Sequence, residues 1–132
     1  MVLAVTMGDP AGIGGEVTLA AWLRRKEARL PPFVAIDDPK HLQSLAVRLG
    51  WSVPLRCVDG LAEATTVFAD ALPVLPIALP GDVTPGQPNV ANAPAVVASI
   101  DRAVALALSG AADGLVTQPV HKATLYGSGF AF

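Results

Sequence analysis

The chain has 132 residues, of which 52% are hydrophobic and 15% charged, and its formal net charge is −2. This length suits one domain, but a small free-standing domain needs more polar surface than this composition supplies. The weak negative charge and the lack of a Lys/Arg run argue against nucleic acid or an acidic membrane surface as a partner. The composition therefore predicts either a large apolar interface or a portion of a larger α/β protein.

The single cysteine, Cys57, excludes an internal disulfide and a thiolate metal cluster, so a reducing, cytoplasmic location is expected. No secretory signal is predicted, because no basic segment precedes the first apolar run and Asp9 interrupts that run. The two most apolar stretches, residues 68–79 and 93–108, are broken by prolines and charged residues, which argues against a membrane span.

A strand and a helix open the chain. Residues 2–6 form a short, nearly unbroken apolar run, as expected of a buried parallel strand. Apolar residues then recur at helical spacing from 16 to 29, and the pair Pro31-Pro32 closes that helix. Residues 33–36 predict a second strand.

The next helix has clear start and stop signals. Asp38 is an N-cap candidate before Pro39 at the first helical position, and Gly50 follows the last apolar residue of the stripe. Residues 53–58 predict a weaker third strand. Residues 72–77 are extended but carry two prolines, which predicts an edge strand or a connection.

The second half of the chain repeats the alternation after a loop at residues 80–92. Residues 94–109 predict a long helix whose apolar face carries the larger side chains, namely Val97, Ile100, Val104 and Leu108. Residues 113–117 predict a strand, and Pro119 begins a last helix that runs to about Tyr126. This alternation predicts an α/β fold, a parallel-rich sheet covered by helices on both faces.

Two strand-to-helix loops are the candidate functional sites, because ligands of open α/β sheets bind beyond the carboxyl ends of the strands. Residues 7–15 read Met-Gly-Asp-Pro-Ala-Gly-Ile-Gly-Gly, and residues 117–122 read Thr-Gln-Pro-Val-His-Lys. Helix N–H groups at both loops, together with the basic side chains of the second, are suited to an anion.

The glycine-rich loop fits neither common phosphate-binding pattern. GxGxxG requires a glycine where Val17 stands, and the Walker pattern requires Gly-Lys-Ser/Thr, whereas Gly14 is followed by Gly15 and Glu16. Two interpretations stay open on these residues alone: a tight turn packed against a neighbouring strand, and a ligand contact.

The two histidines differ in their surroundings along the chain. His121 follows a strand end, with Thr117 upstream and Lys122 beside it, which favours a polar site over a simple surface or capping hydrogen bond. His41 lies within a helix and is interpreted as part of a solvated face. Two separated histidines and one cysteine predict no metal site, and no Ser or Cys stands in a nucleophile elbow.

Three segments together resemble the N-terminal part of 4-hydroxythreonine-4-phosphate dehydrogenase, the PdxA family of pyridoxal phosphate biosynthesis. They are TMGDPAGIGGE at residues 6–16, ANAPAVVASIDRAV at 91–104 and VTQPVHKATLYGSGFAF at 116–132. The similarity runs the whole length of the chain but covers well under half of the family's usual length. Residues 1–132 are therefore expected to be the N-terminal portion of such an enzyme.

The resemblance implies a fold and an activity. Members of the family are cytoplasmic homodimers of two α/β domains with a cleft between them, related in fold to isocitrate and isopropylmalate dehydrogenases. They use NAD or NADP and a divalent metal, zinc, cobalt or magnesium, to oxidise 4-phosphohydroxy-L-threonine. Loss of carbon dioxide follows. A small phosphorylated hydroxy-amino acid is thus the expected substrate, with no nucleic acid or membrane partner.

Within this chain the resemblance implies cleft positions for a few residues. In the first loop they are Asp9, Gly12, Ile13 and Gly14, and in the second His121 and Lys122 are the expected catalytic residues, with Thr117 nearby. The family's Gly-His-Thr-Glu substrate motif, its metal-binding histidines and most of its cofactor pocket lie in sequence that this chain does not contain. No metal ligand is expected here, and the chain alone is expected to be inactive.

Two alternatives stay open at this point. A dehydrogenase of another four-carbon acid sugar 4-phosphate, of the threonate or erythronate type, would carry the same loops. A non-catalytic phosphate-binding or dimerisation module would use the two helix N-termini and the apolar excess. One departure from the family is visible, since Gly15 stands where the family usually has proline, which loosens the entry to the first helix.

Overall fold

Five parallel strands form one sheet, and the computed structural model describes residues 1–127 of the chain. The strands are β1 (Leu3–Val5), β2 (Phe33–Asp37), β3 (Leu55–Cys57), β4 (Leu72–Pro76) and β5 (Gly114–Val116). Their spatial order is β3-β4-β2-β1-β5, and each pairing among them is parallel. The end of the third motif, residues 128–132, lies outside the described residues.

Helices cover both faces of this sheet. They are α1 (Gly14–Leu23), α2 (Pro39–Leu49), α3 (Leu61–Val67), α4 (Ala93–Leu108) and α5 (Lys122–Gly127), with a 3₁₀ turn at Val90–Asn92. One core cluster joins Leu19 of α1 and Leu42 of α2 to Val5, and a second joins Ala64 of α3 and Ala103 of α4 to Ala4. Because successive strand residues point to opposite faces, α1 and α2 cover one face and α3 and α4 the other. The predicted α/β fold is confirmed.

The local signals of α2 are confirmed in detail. The Asp38 carboxylate accepts a hydrogen bond from the backbone N–H of Lys40 at 2.8 Å, and Pro39 begins the helix. Gly50 ends it in the left-handed conformation, with φ of 72°, which glycine adopts without a steric cost.

The prediction of an edge position for residues 72–77 is wrong, because β4 lies between β3 and β2. Its two prolines are tolerated inside the sheet because each of them is paired with only one of the two neighbouring strands. Pro73 is paired with β3 but precedes the register with β2, and Pro76 is paired with β2 but lies beyond the register with β3. A missing N–H therefore costs few ladder hydrogen bonds at either position.

The predicted apolar face of α4 is correct in its first half, where Val97 and Ile100 pack against a core cluster, and wrong for Val104 and Leu108. Ser99 and Ala103 are fully buried, whereas Val104 is 39% and Leu108 84% exposed. The small residues face the sheet and allow close approach of the helix, and the Ser99 hydroxyl accepts from Met7 N at 2.9 Å and donates to Ile36 O at 2.7 Å. Small size and hydrogen bonding thus contribute to the choice of the buried face, together with apolar residues such as Val96.

Within the part of the chain that the structure describes, one helical segment, Val90–Leu108, is apolar enough to cross a membrane by length and composition alone. Core helices of soluble proteins meet the same criterion. In this chain α4 contacts β1, β2 and β5, and it contains Asp101 and Arg102. The packing supports a role as a cover of the sheet.

Other boundaries differ from the predictions. α1 ends at Leu23 rather than at Arg29, since residues 24–29 continue as turns that finish with Arg29 at φ of 54°. α5 begins at Lys122, so Pro119 lies in the loop before it. The short helix α3 was not predicted; its Thr65 hydroxyl donates to Leu61 O at 3.1 Å, four residues earlier in the helix.

Candidate active site

Between β1 and β5 the order of the strands reverses, so their carboxyl ends mark the switch point of the sheet. From β1 the chain passes through α1 to β2 on one side, whereas α4 returns it to β5 on the other side. The loops that leave β1 and β5 therefore diverge and open a crevice, which is where open α/β sheets bind their ligands. Both loops selected from the sequence lead out of these two strands.

A cavity of about 320 Å³ lies between the two loops. Its wall includes Asp9, Gly12 and Ile13 from the first loop and His121 from the second. A third segment completes the wall, the connection before α4, which contributes Gly86 and Pro88. No sequence motif indicated this third segment, because its position depends on a long-range bond from Gly86 N to Ala11 O at 2.9 Å.

Hydrogen bonds join the first two loops directly. The backbone N–H of Asp9 donates to Pro119 O at 2.9 Å, and the backbone N–H of Gln118 donates to the Thr6 hydroxyl at 3.0 Å. The Gln118 side-chain amide donates to the Thr18 hydroxyl on α1, also at 3.0 Å. The two walls of the cavity are therefore parts of one bonded unit, although they lie far apart in the sequence.

The sequence left two interpretations of the glycines in the first loop, close packing against a neighbouring segment and contact with a ligand, and different glycines fit each of them. A Cβ atom at Gly8 would lie 2.6 Å from Gln118 Cβ, and one at Gly14 would lie 3.0 Å from the same atom. Both glycines thus allow the close approach of the second loop. A Cβ at Gly12 would meet its nearest neighbour, Asp9 O, at an ordinary 3.4 Å. Gly12 is exposed at the cavity, whereas Gly14 is buried behind it.

Asp9 both lines the cavity and shapes the loop. Its carboxylate accepts a hydrogen bond from Ala11 N at 2.9 Å, and its carbonyl accepts from Gly12 N at 3.0 Å. Short aspartate turns of this kind fix a loop without regular secondary structure. The cavity is therefore lined by an aspartate of a preformed loop on one wall and by His121 on the other.

The N-terminus of α1 reaches the same cavity. Ile13 is its N-cap residue, is 60% exposed, and forms no side-chain cap. Glu16 in the first turn already complements the positive end of the helix dipole. This end of α1 thus offers uncapped backbone N–H groups, while Asp9 and Glu16 supply negative charge nearby.

The second loop carries the remaining predicted residues. His121 precedes α5 and lines the cavity, and its carbonyl accepts from Leu125 N at 3.2 Å. Thr117 and Lys122 are exposed and lie outside the cavity wall. The structure therefore brings together Asp9, Gly12, Ile13 and His121, and it places Gly14, Thr117 and Lys122 around them.

His41 lies in a different environment from the solvated face predicted for it. It is half-buried and lines a separate cavity with Asp38 and Arg48. Burial lowers the pKa of His41, with the Asp38 carboxylate opposing this effect and the Arg48 guanidinium adding to it. His41 is half-buried because the loop at residues 79–83 packs over this side of α2.

Residues 1–127 contain no group of three His, Cys, Asp or Glu side chains that could hold a metal ion. The glycine loop also lacks an open cradle for a pyrophosphate, because Gly8 and Gly14 face Gln118 rather than the cavity. The described residues thus do not fit a metal centre or a dinucleotide phosphate site.

The fold and the cavity define a class: a doubly wound α/β protein with a small-ligand crevice at the switch point of its sheet. Residues 29–132 match the profile of the family described as "Pyridoxal phosphate biosynthetic protein PdxA". The 4-hydroxythreonine-4-phosphate dehydrogenase of Methylorubrum populi is 52% identical over 98% of this chain and 37% of its own length. The chain belongs to the PdxA family.

Solved structures agree with this assignment. A 4-hydroxythreonine-4-phosphate dehydrogenase from Burkholderia phymatum superposes with a TM-score of 0.86 at 29% identity, over 97% of this chain and 39% of that one. The enzyme from Klebsiella pneumoniae gives a TM-score of 0.80 at 29% identity, over 99% of this chain and 41% of that one. The chain thus spans well under half the length of the relatives that it matches.

Proposed function

We propose that this chain supplies one wall of the substrate site in a 4-hydroxythreonine-4-phosphate dehydrogenase. The proposed reaction is the NAD(P)-dependent oxidation of 4-phosphohydroxy-L-threonine, followed by decarboxylation, in the synthesis of pyridoxal 5′-phosphate. The observation that carries the proposal is the crevice at the switch point, in a chain 52% identical over 98% of its length to the Methylorubrum populi enzyme.

The cavity suits part of such a substrate. Phosphate and carboxylate groups are anionic, and His121 offers an imidazole N–H that donates to them when it faces the cavity. The substrate's ammonium group is cationic, and the Asp9 carboxylate on the opposite wall complements it. Lys122, exposed beside His121, adds positive charge near the same end.

The proposal limits this chain to contacts with the substrate. A divalent metal, zinc, cobalt or magnesium, and NAD or NADP belong to the whole enzyme, but residues 1–127 form no ligand set for a metal. Asp9 and His121 therefore orient the substrate, and the hydride acceptor and the metal would be held by other sequence. The whole enzyme is further proposed to be a cytoplasmic homodimer, which the exposed apolar side chains support, among them Leu108, Leu115 and Val116.

The substitution His121→Asn in the whole protein tests the substrate contact, with His41→Asn as matched control because His41 is the only other histidine of the 132 residues. NAD(P)H absorbance with the phosphorylated hydroxythreonine as substrate gives kcat/KM. We expect His121→Asn to lower kcat/KM about 100-fold and His41→Asn to change it less than about twofold. Equal values for the two variants would contradict the site, and a wild type that acts only on threonate or erythronate phosphate would contradict the substrate.

The isolated 132-residue chain is proposed to be inactive, and it provides the second test. The chain is mixed with NAD(P), zinc, cobalt or magnesium, and the phosphorylated substrate, and NAD(P)H absorbance is followed. Turnover would overturn this part of the proposal. Calorimetric titration with the same substrate tests the non-catalytic alternative, since phosphate-dependent binding by a protein whose full-length form never turns over would favour a binding module.

A further inference from the structure

We propose that Gln118 is a positioning residue that couples the two walls of the crevice. Its kinetic consequence rests on the proposed function, whereas its structural consequence does not. Gln118 is half-buried, does not line the cavity with Asp9 and His121, and is not expected to touch the substrate there. Gln118 would act by holding the two loops in position relative to one another.

Gln118 meets the first wall at several points. Its backbone N–H donates to the buried Thr6 hydroxyl at the end of β1, and its side-chain amide donates to the buried Thr18 hydroxyl in α1, each at 3.0 Å. Its Cβ atom fills the space that side chains at Gly8 and Gly14 would otherwise occupy. One residue of the second loop is therefore enclosed by the first loop and by α1.

The residues next to Gln118 belong to the cavity itself. Pro119 accepts the hydrogen bond from Asp9 N at 2.9 Å, and both of these residues line the cavity. His121 follows two positions later on the same wall. A rotation of the Gln118 segment would therefore change the separation between the His121 imidazole and the Asp9 carboxylate.

The side-chain amide is the adjustable part of this contact. The glycines fix how closely the backbones approach, and the bonds from Gln118 N to Thr6 Oγ1 and from Asp9 N to Pro119 O join the two loops at the end of β1. The bond from Gln118 Nε2 to Thr18 Oγ1 adds a restraint that ties the second loop to a helix. A neutral hydrogen bond of this kind contributes little to overall stability, whereas a displacement well under 1 Å in an active site is enough to slow catalysis.

A double-mutant cycle tests the coupling in the whole enzyme. The variants are Gln118→Met, which keeps the chain length but cannot donate, Thr18→Val, and the two combined. Thr65→Val on α3 is the matched control, because it removes a threonine hydroxyl hydrogen-bonded within a helix on the opposite face of the sheet. Gln118→Glu is a second variant, since its carboxylate can accept from the Thr18 hydroxyl.

We expect Gln118→Met and Thr18→Val each to lower kcat about tenfold, with a KM for the phosphorylated substrate within about twofold of wild type. The double variant should be no slower than either single variant. Gln118→Glu should recover most of kcat, and Thr65→Val should leave kcat unchanged. Additive losses in the cycle, or a loss as large in Thr65→Val, would overturn the proposal.

Hydrogen exchange measured by mass spectrometry separates this proposal from the proposed function, because it needs no turnover. In Gln118→Met and Thr18→Val, peptides that cover residues 8–13 and 119–123 should exchange faster than in wild type and in Thr65→Val. Unchanged exchange in both peptides would overturn the coupling whatever the activity. Faster exchange in a protein that does not oxidise the phosphorylated substrate would refute the proposed function and leave the coupling supported.

Discussion

The junctions from β1 to α1 and from β2 to α2 lie side by side in one sheet, and their helices cover the same face, yet they are built differently. At the second junction the Asp38 carboxylate accepts from Lys40 N and His41 N, at 2.8 and 3.4 Å, and Pro39 begins the helix. At the first junction a glycine-rich loop leads to Ile13, an N-cap residue without a side-chain cap.

This difference separates a closed junction from an open one. At α2 a side chain of the chain itself satisfies the free N–H groups, so the junction is short and has little to offer a ligand. At α1 small residues let the second loop approach within van der Waals contact, and the helix end stays uncapped beside a cavity of about 320 Å³. Local stability is thus supplied by capping at one junction and by long-range packing at the other.

Among the tests of this comparison, the substitution Gly8→Ala should have the largest effect on the free energy of unfolding. The φ of Gly8 is 66°, and a Cβ atom there would lie 2.6 Å from Gln118 Cβ and 2.8 Å from Pro119 O. Strain in the left-handed region and overpacking together should lower the free energy of unfolding by about 4 kcal/mol, measured by urea denaturation. Gly12→Ala is the matched control and should change it by about 0.5 kcal/mol or less. Equal effects at the two positions would show that long-range packing does not define this loop.

The substitution Asp38→Ala tests the closed junction. The Asp38 carboxylate also accepts from Leu79 N at 2.9 Å, so its removal leaves backbone donors of both α2 and the following loop without a partner. We expect a loss of about 3 kcal/mol in the free energy of unfolding. Asp38→Asn keeps one oxygen for Lys40 N and His41 N but replaces the oxygen that accepts from Leu79 N with an amide NH2 group, so we expect a loss smaller than that of Asp38→Ala. A loss as large in the asparagine variant would indicate that the bond to Leu79 N or the charge, rather than the cap, is what matters.

The neighbouring Asp37 makes the stability of the closed junction depend on pH. Burial raises its pKa from 3.8 to about 7, and the hydrogen bond from Asp38 N only partly opposes this. Because the folded state holds the proton more tightly than the unfolded state, Asp37 stabilises the fold at low pH, and this contribution is lost as pH rises through about 7.

The substitution Asp37→Asn removes that titration and keeps an acceptor for Asp38 N. Between pH 5 and pH 7 the free energy of unfolding of wild type should fall by about 2 kcal/mol relative to the variant. Urea denaturation at a series of pH values measures both proteins. Parallel pH dependences would refute the buried, protonated carboxyl at the closed junction.

Local sequence signals predicted the closed junction better than the open one. Asp38, Pro39 and Gly50 act within α2, so the sequence was sufficient to place that helix. The burial of Ser99 depends on where the Met7 N–H and the Ile36 carbonyl lie, and no periodicity along α4 contains that information. The prolines of β4 likewise required the register of both neighbouring strands.

In the candidate site, too, local features could be predicted from the sequence and long-range contacts could not. General rules of α/β topology selected the two loops as candidate ligand sites, and the structure places them side by side, with His121 and Asp9 lining one cavity. The contributions of Gln118 and Gly86 were missed because their bonds reach residues 100 and 75 positions away, Thr18 and Ala11. The individual catalytic roles of His121 and Lys122 stay predictions.

The position of β1 between β2 and β5 in the sheet has a consequence for the order in which the protein folds. β1 is the first strand to be synthesised, yet one of its two neighbours is β5, and the bond from Val2 N to the Asp113 carboxylate joins residues 111 positions apart. Contacts of such long range form slowly. The nascent chain can pair β1 with β2 early, but the Gly8 turn stays open on one side until the segment after β5 has left the ribosome. The crevice between the two loops can therefore form only after β5 has been synthesised and has joined β1.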